Sequence, residues 1–502
     1  MLNIQLYNLM DTRIKLSLLS LIVCAWGVQA QEALSLDACR ALAIENNKVL
    51  KISSEKEQKA HYERKAALAQ YLPDFSLTGG YIHRQKNFSL LDADRFLPIG
   101  TLMPDGSFGF RPDQINNQWA DINGQKIPLD AGGQPFNPHD NPEKILWKDY
   151  TTIPRSEFEM DSRNMWTGVF SVAQPIYMGG KIVAYNQIAK YAEQLARSQK
   201  DTELQQVILQ TDEAYWQTIS LVHKKRLTSS YVELLRRMDA DVQLLIQEGL
   251  ATKADGLSIK VKLNEAEIAE TKVENGLRMT RMLLAQICGL PLETELALVD
   301  EQVQDFDIQE NSIVAVDVEQ AYLDRPELKS LNLATKIYEK KETIVRSEML
   351  PTVALSANYT VTNPNMFNGF QKEFAGMWNV GVVVKVPLFH WGEKANHLNA
   401  AKAETRIKRL ETEDAKEKVA LQINQSIFQL NEAERKMIMA QRNKESAAEN
   451  LQYANWGFEE GVIPVLQVME AQSAWLKANS EWIDAQIESK LAHAYLKKAT
   501  GK

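Results

Sequence analysis

Four stretches of the chain alternate between two kinds of position. From Thr352 to Thr362, Val353, Leu355, Ala357, Tyr359 and Val361 share one face, with Ala354, Ser356, Asn358, Thr360 and Thr362 opposite. Trp378, Val380, Val382, Val384 and Val386 share a second face, against Asn379, Gly381 and Lys385. Phe75, Leu77, Gly79 and Tyr81 form a third, and Trp166, Gly168, Phe170 and Val172 a fourth. Period-two alternation predicts strands, at about 72–86, 162–176, 350–363 and 376–389. A tilted strand of about ten residues crosses a bilayer, and Trp166 and Trp378 open their strands where an aromatic girdle would lie. A soluble sheet half-buried against a helix would alternate in the same way.

Elsewhere the apolar positions follow a helical period. Val207, Thr211, Ala214, Thr218 and Leu221 step by 4, 3, 4 and 3, and Val419, Ile423, Ser426, Leu430 and Ala433 repeat those steps. This is coiled-coil spacing with small seam residues, suited to closely packed helices in a tube. No proline interrupts Lys181 to Gln247 or Glu393 to Trp456. Long helices are therefore expected at about 178–248, 252–288, 391–459 and 463–500. A helix of about 65 residues is about 100 Å long.

These elements come in two copies. At an offset of 212, Trp166 falls on Trp378, Pro175 on Pro387, Gly180 on Gly392, Val207 on Val419, Gly249 on Gly461, Ala266 on Ala478 and Gly289 on Gly501. Upstream the offset is 278 or 279, with Leu72-Pro73 on Leu350-Pro351. The difference, 278 − 212 = 66 residues, is an insertion in the first copy. The expected domains are a first repeat at 31–290, a linker at 291–324 and a second repeat at 325–502. Strand–helix junctions fall at Pro73, Pro175, Gly179, Gly180, Pro351, Pro387 and Gly392. The insertion, about 87–160, is rich in Asp, Pro, Asn and Gly, with Phe88, Phe96, Trp119 and Trp147 interspersed. It joins the outer ends of two predicted barrel strands, which places it outside the cell as a cap, a packed lid or a surface loop.

Four spanning strands cannot close a barrel, since single-chain barrels start at eight, and open edges are not tolerated in lipid. Oligomerisation is the expected solution. The fold class expected is mixed α and β, mostly helical, with four transmembrane strands per chain and long coiled-coil helices.

Export is written at the N-terminus: Arg13 and Lys15 precede an uncharged run from Leu16 to Val28, and Val28-Gln29-Ala30 forms a small-x-small cleavage site. Residues 1–30 read as a signal peptide, removing Cys24. Val23 stands where a lipoprotein signal wants Gly, Ala or Ser. Cys39 and Cys288 then remain as small apolar residues rather than a disulfide framework. Beyond the signal no stretch reaches the roughly 18 apolar residues of a membrane helix. The net charge of −8 offers nucleic acid no general handle. No metal motif, phosphate loop or nucleophile elbow appears, and His390 and His397, expected on one helical face, lie two turns apart. Neither a cofactor nor an enzymatic activity is expected.

Several motifs resemble the TolC family of outer membrane efflux proteins: Leu34 to Leu42 with Asn46-Asn47, Tyr71-Leu72-Pro73, Gln174 to Lys181 with its copy Val386 to Gly392, Glu248 to Thr252, and Glu460 to Pro464. The resemblance covers nearly the whole mature chain. It implies a homotrimer with a twelve-stranded barrel on an α-helical periplasmic tunnel, in the outer membrane of a Gram-negative cell. It also implies an exit duct for a tripartite efflux or type I secretion system, with a periplasmic adaptor and an inner-membrane RND or ABC pump as partners. Adaptors would grip the hairpin tips Gly249, Leu250, Ala251 and Thr252, and Gly461, Val462, Ile463 and Pro464. Asp255, Gln467 and Glu470 match the periplasmic constriction. Gln467 departs from an acidic residue there, and Ile463 stands where some relatives have a basic partner, which puts a salt-bridge latch in doubt. The rival reading is an exported coiled-coil scaffold or adhesin without a pore.

Overall fold

The structure is a computed structural model that describes residues 33–109, 118–148, 150–303, 316–369 and 371–501. The signal segment and positions 304–315 of the expected linker lie outside the described residues. The chain divides into a helical unit, formed by three separate stretches, and a sheet unit, residues 70–178 and 350–387.

The helical unit contains α1 (Leu36–Asn46), α2 (Lys48–Ala69), α3 (Lys181–Gln247), α4 (Lys253–Ile287), α5 (Val318–Asp324), α6 (Pro326–Ser347), α7 (Glu393–Glu459) and α8 (Val465–Ala499). Adding 212 to the limits of α3 and α4 gives those of α7 and α8, and adding 278 to those of α2 gives those of α6. Part of the segment read as linker is helical: Asp317 caps α5 by accepting from the amides of Glu319 and Gln320. The second repeat thus opens with a helix pair, as the first does. His390 lies outside the helix expected for it, because α7 begins only after the left-handed turn at Trp391 and Gly392.

Packing orders the long helices into an open layer. α4 packs on α3, α3 on α8 and α8 on α7; α2 also packs on α3, α3 on α6 and α6 on α7. The principal core joins α1, α3 and α4 around Tyr215, Ile219, Leu284 and the two cysteines. Arg40 on α1 forks onto the buried carboxylate of Asp212, with both N···O distances 2.7 Å. Charge-assisted bidentate pairs of this kind fix orientation as well as distance.

One clasp occurs in both repeats where a helical hairpin returns to its root. Asn47 donates through Nδ2 to the carbonyl of Ile287 at 3.0 Å. At the equivalent place Arg325 donates through Nη1 to the carbonyl of Ala499 at 3.0 Å and through Nη2 to Gln422 at 3.1 Å. A positive-φ glycine follows each hairpin, Gly289 (φ 72°) and Gly501 (φ 80°). A Cβ on Gly289 would lie 2.5 Å from Cβ and 2.9 Å from the carbonyl oxygen of Asn46, and one on Gly501 3.0 Å from the carbonyl carbon of Asp324. Only glycine combines that conformation with so close an approach.

The sheet unit holds four long antiparallel strands in the order β1 (Asp74–His83), β10 (Asn164–Met178), β11 (Thr352–Asn363) and β12 (Ala375–Lys385). The insertion prolongs the β1/β10 hairpin as paired short strands: β2 (Phe88–Ser89) with β9 (Glu159–Met160), and β3 (Arg95–Pro98) with β8 (Tyr150–Ile153). Further out, β4 (Thr101–Leu102) pairs with β5 (Phe108–Gly109), and β6 (Trp119–Ile122) with β7 (Gln125–Pro128). At its base Asp161 bonds Lys372 (2.7 Å) of the β11/β12 loop, and these contacts hold its carboxyl at about 2.

Gly289→Ala combines backbone strain with a backbone clash and should destabilise the helical unit by about 3 kcal/mol. Arg325→Ala strips the buried Ala499 carbonyl and the Gln422 amide oxygen of their donor and should cost a similar amount, more than Asn47→Ala. Denaturant unfolding of the purified protein measures all three.

Candidate functional site

Two surfaces carry the candidate residues. The first is the sheet. Its register sets Phe75 opposite Val172, Leu77 opposite Phe170 and Tyr81 opposite Trp166. Phe170 then meets Tyr359, and Val172 meets Ala357. Tyr359 meets Trp378, Ala357 Val380, Leu355 Val382 and Val353 Val384. Directly paired residues point to the same side, so all these side chains form one apolar face across four strands. None of the described residues of the unit covers it: Leu77 is 79% exposed and Trp378 73%. The other face presents Ser76, Thr78, Thr167, Ser171, Ser356, Thr360 and Lys385, and Asn358 donates to Asn379 across it at 3.0 Å.

Aromatics gather at the loop end of the apolar face. The Tyr81 and Trp166 rings lie 4.6 Å apart, and Tyr359 reaches over Gly376, where any Cβ would collide with its ring. Tyr177 marks the other end of β10, eleven residues from Trp166. At about 3.3 Å per residue and a tilt of about 40°, that separation spans about 28 Å, the depth of a bilayer's hydrocarbon. Pro175 sits where a bulge interrupts the β10/β11 register, so its missing N–H costs no regular ladder bond. Pro73 and Pro351 stand just before β1 and β11, and Pro387 just after β12.

The helix starts that follow also match between repeats. Gly180 (φ 87°) and Gly392 (φ 81°) are left-handed caps of α3 and α7. Gly179 (φ 61°) precedes the first, but Trp391 (φ 50°) precedes the second. A tryptophan in that conformation is strained. Its ring, 90% exposed, packs edge-on to Phe389 at 4.8 Å.

The second surface is the pair of hairpin tips. Leu250 and Ala251 donate to the carbonyl of Leu245, and Val462 and Ile463 to that of Gly457, with Gly249 (φ 75°) and Gly461 (φ 73°) at the turn. These left-handed closures satisfy carbonyls that would otherwise end the helix unpaired. Leu250 (76% exposed) and Val462 (78%) project outward at equivalent positions. Ala251 and Ile463 turn inward onto a shared core of Met238, Val242, Ile259, Val465, Val468 and Met469. Two glycines inside helices make room: Gly256 beside Ile246 and Gly457 beside Ile463. The sequence pattern did not single out either, although an isolated glycine in a helical run is itself a packing signal.

Pro464 and Thr252 cap the following helices, and only Thr252 does so with a side chain. Its hydroxyl accepts from the Asp255 amide, while Asp255 accepts from the Thr252 amide (2.9 Å) and hydroxyl (2.6 Å). These bonds lower the Asp255 carboxyl below its ordinary value. The structure therefore gives Asp255 a capping role within its own helix. Gln467 and Glu470 lie one turn apart on the exposed side of α8.

The long helices expose apolar side chains on the two flanks of their layer. On α7 these are Ile407, Leu410, Leu421, Phe428, Met439 and Tyr453, and on α4 Leu257, Val261, Ile268 and Met279. Among the described residues no group of three or more His, Cys, Asp or Glu is placed to hold a metal, and no helix is long and apolar enough to cross a membrane.

Residues 318–502 match the outer membrane efflux protein family. The matched segment is the second repeat, and the helix limits above show that the first repeats its plan. The second repeat is therefore similar to the outer membrane efflux proteins. The chain's fold is that of solved channels in this family. It superimposes on CusC at a TM-score of 0.67 and 12% identity, over 93% of this chain and 92% of that one. For OprN the values are 0.69 and 13%, over 93% and 89%. For CmeC of Campylobacter jejuni they are 0.69 and 14%, over 93% and 85%. A search of curated proteins finds no match in sequence. The family matched by the second repeat consists of outer membrane efflux channels rather than enzymes.

Because the Asp255 carboxyl is lowered in the fold, its stabilisation is complete above the ordinary aspartate value near 4 and is lost as pH falls through the lowered one. Relative to the intrinsic rate at each pH, amide exchange at residues 252–256 should accelerate below about pH 4 in the native chain. Asp255→Asn should exchange faster at neutral pH and show no such acceleration, and equal pH profiles would remove the capping role.

Proposed function

We propose that three copies of this chain close into a passive exit duct through the outer membrane. The observation that supports it is that both units are open layers with unpartnered flanks. Among the described residues of the sheet, β1 and β12 each keep one free backbone edge. In the helical layer, α4 and α7 carry exposed apolar stripes on opposite flanks. Lipid cannot satisfy a free strand edge, so β12 of one copy pairs with β1 of the next and α7 meets the next copy's α4. Three copies of four strands give twelve, within the range of known barrels.

In this arrangement the apolar sheet face meets outer-membrane lipid and the Asn358/Asn379 face lines the lumen. Leu250 and Val462, exposed at equivalent tips, are the contacts offered to a periplasmic adaptor. The adaptor couples the duct to an inner-membrane RND or ABC pump, which supplies the energy, in an efflux or type I secretion assembly. Gln467 and Glu470 form the constriction, with three copies of Glu470 facing one another on the symmetry axis.

Outer-membrane fractions should contain a heat-modifiable trimer that conducts ions in planar bilayers. Recovery as a soluble periplasmic monomer would instead favour the scaffold reading. Val380→Lys, at the middle of the apolar face, should cost about 2–4 kcal/mol of membrane stability and reduce the trimer. Glu470→Gln should weaken cation preference; an unchanged preference would sink the gate assignment and leave the duct intact.

A further inference from the structure

The N-terminal helix and the root of the first hairpin meet at two cysteines. Cys39 lies on α1 and Cys288 directly follows α4, and both are fully buried in the same core. They are free thiols in this structure, with Cys288 Sγ donating to the carbonyl of Cys39 at 3.6 Å. These are the only cysteines after residue 24, separated by 288 − 39 = 249 positions, and the fold brings them into contact. Two small apolar core residues have no reason to be paired in this way.

The clasp beside them suggests what the pair does. In the second repeat a buried guanidinium holds the hairpin root through Ala499 and Gln422. In the first, a single amide bond from Asn47 to Ile287 stands in that place. Cys288 is the next residue after Ile287, and its equivalent at 288 + 212 is Thr500, whose hydroxyl bonds only the carbonyls of its own helix end. The weaker clasp is therefore the one with a thiol pair alongside.

We infer that Cys39 and Cys288 are joined by a disulfide in the exported protein, locking α1 to the root of the first hairpin. The inference rests on export to the periplasm, where disulfides form and persist, and is independent of conduction. The oxidant is the disulfide of a periplasmic thiol–disulfide oxidoreductase. The Cys288 thiolate attacks one of its sulfurs and releases the other as a thiolate. Cys39 then gives up its proton, attacks Cys288 Sγ and expels the second carrier sulfur. Two thiols become one disulfide, and the carrier leaves as a dithiol holding both electrons. Since the finished fold buries both sulfurs, exchange precedes closure of α1 over the hairpin.

The test is maleimide labelling of the full chain from outer-membrane fractions of a Gram-negative host, denatured without reductant, with adducts mapped by peptide mass. Residues 39 and 288 should both stay unlabelled and both become labelled after reduction. In Cys39→Ser, Cys288 should label without reductant; labelling is done on denatured chain, so a poorly folding variant is read equally well. Full labelling of the unreduced native chain, a reducible dimer, or continued protection of Cys288 in Cys39→Ser would each overturn the bond.

Discussion

A strand edge carries a row of amide and carbonyl groups that hydrocarbon cannot satisfy. That constraint governs the sheet unit, where an apolar face runs across four strands and two edges remain free. An apolar face alone could be covered by helices, as in a soluble protein. An apolar face bounded by aromatics, about one bilayer deep and with free edges, has a simpler answer in lipid and neighbouring copies. The helical unit meets a weaker form of the same problem, since exposed side chains on α4 and α7 lose solvation energy rather than hydrogen bonds.

Duplication gives the two repeats matching helices but different surroundings. Trp216 and Phe428 occupy the same place in the two copies, since 216 + 212 = 428. Trp216 is 9% exposed and Phe428 70%. The reason is position in the layer: among the described residues α3 has neighbours on both sides, whereas α7 packs only on α6, α8 and the short α5. In the proposed trimer it is the neighbouring copy that buries the apolar residues of this flanking helix. The tips diverge similarly, with a side-chain cap from Thr252 and Asp255 in one copy and Pro464 in the other.

Much of the fold was legible because it rests on periodicity and repetition. The strands are visible in the alternation around Phe75, Trp166, Val353 and Trp378, since a pleated strand with two different faces leaves that mark. The long helices follow from missing prolines and a four-three seam. The contents of the candidate site were less legible. Asp255 was expected at the periplasmic constriction from resemblance alone; the fold adds that its carboxylate caps its own helix, with the Thr252 hydroxyl 2.6 Å away. Gly256 and Gly457 read as ordinary helix residues, and their value appears only where Ile246 and Ile463 need the space.

By itself the amino-acid order determined the duplication, the helix limits near 247 and 459, the two-faced strands and the need for more than one chain. These are local or repeated properties, carried by neighbours a few residues apart or by one constant offset. Only the tertiary structure decided which flanks stay open, that Asn47 and Arg325 hold equivalent hairpin roots, and that Cys39 meets Cys288. Those contacts join residues more than 170 positions apart, and no local periodicity encodes them. They follow from how the helices stack, which depends on all the side chains of the layer together.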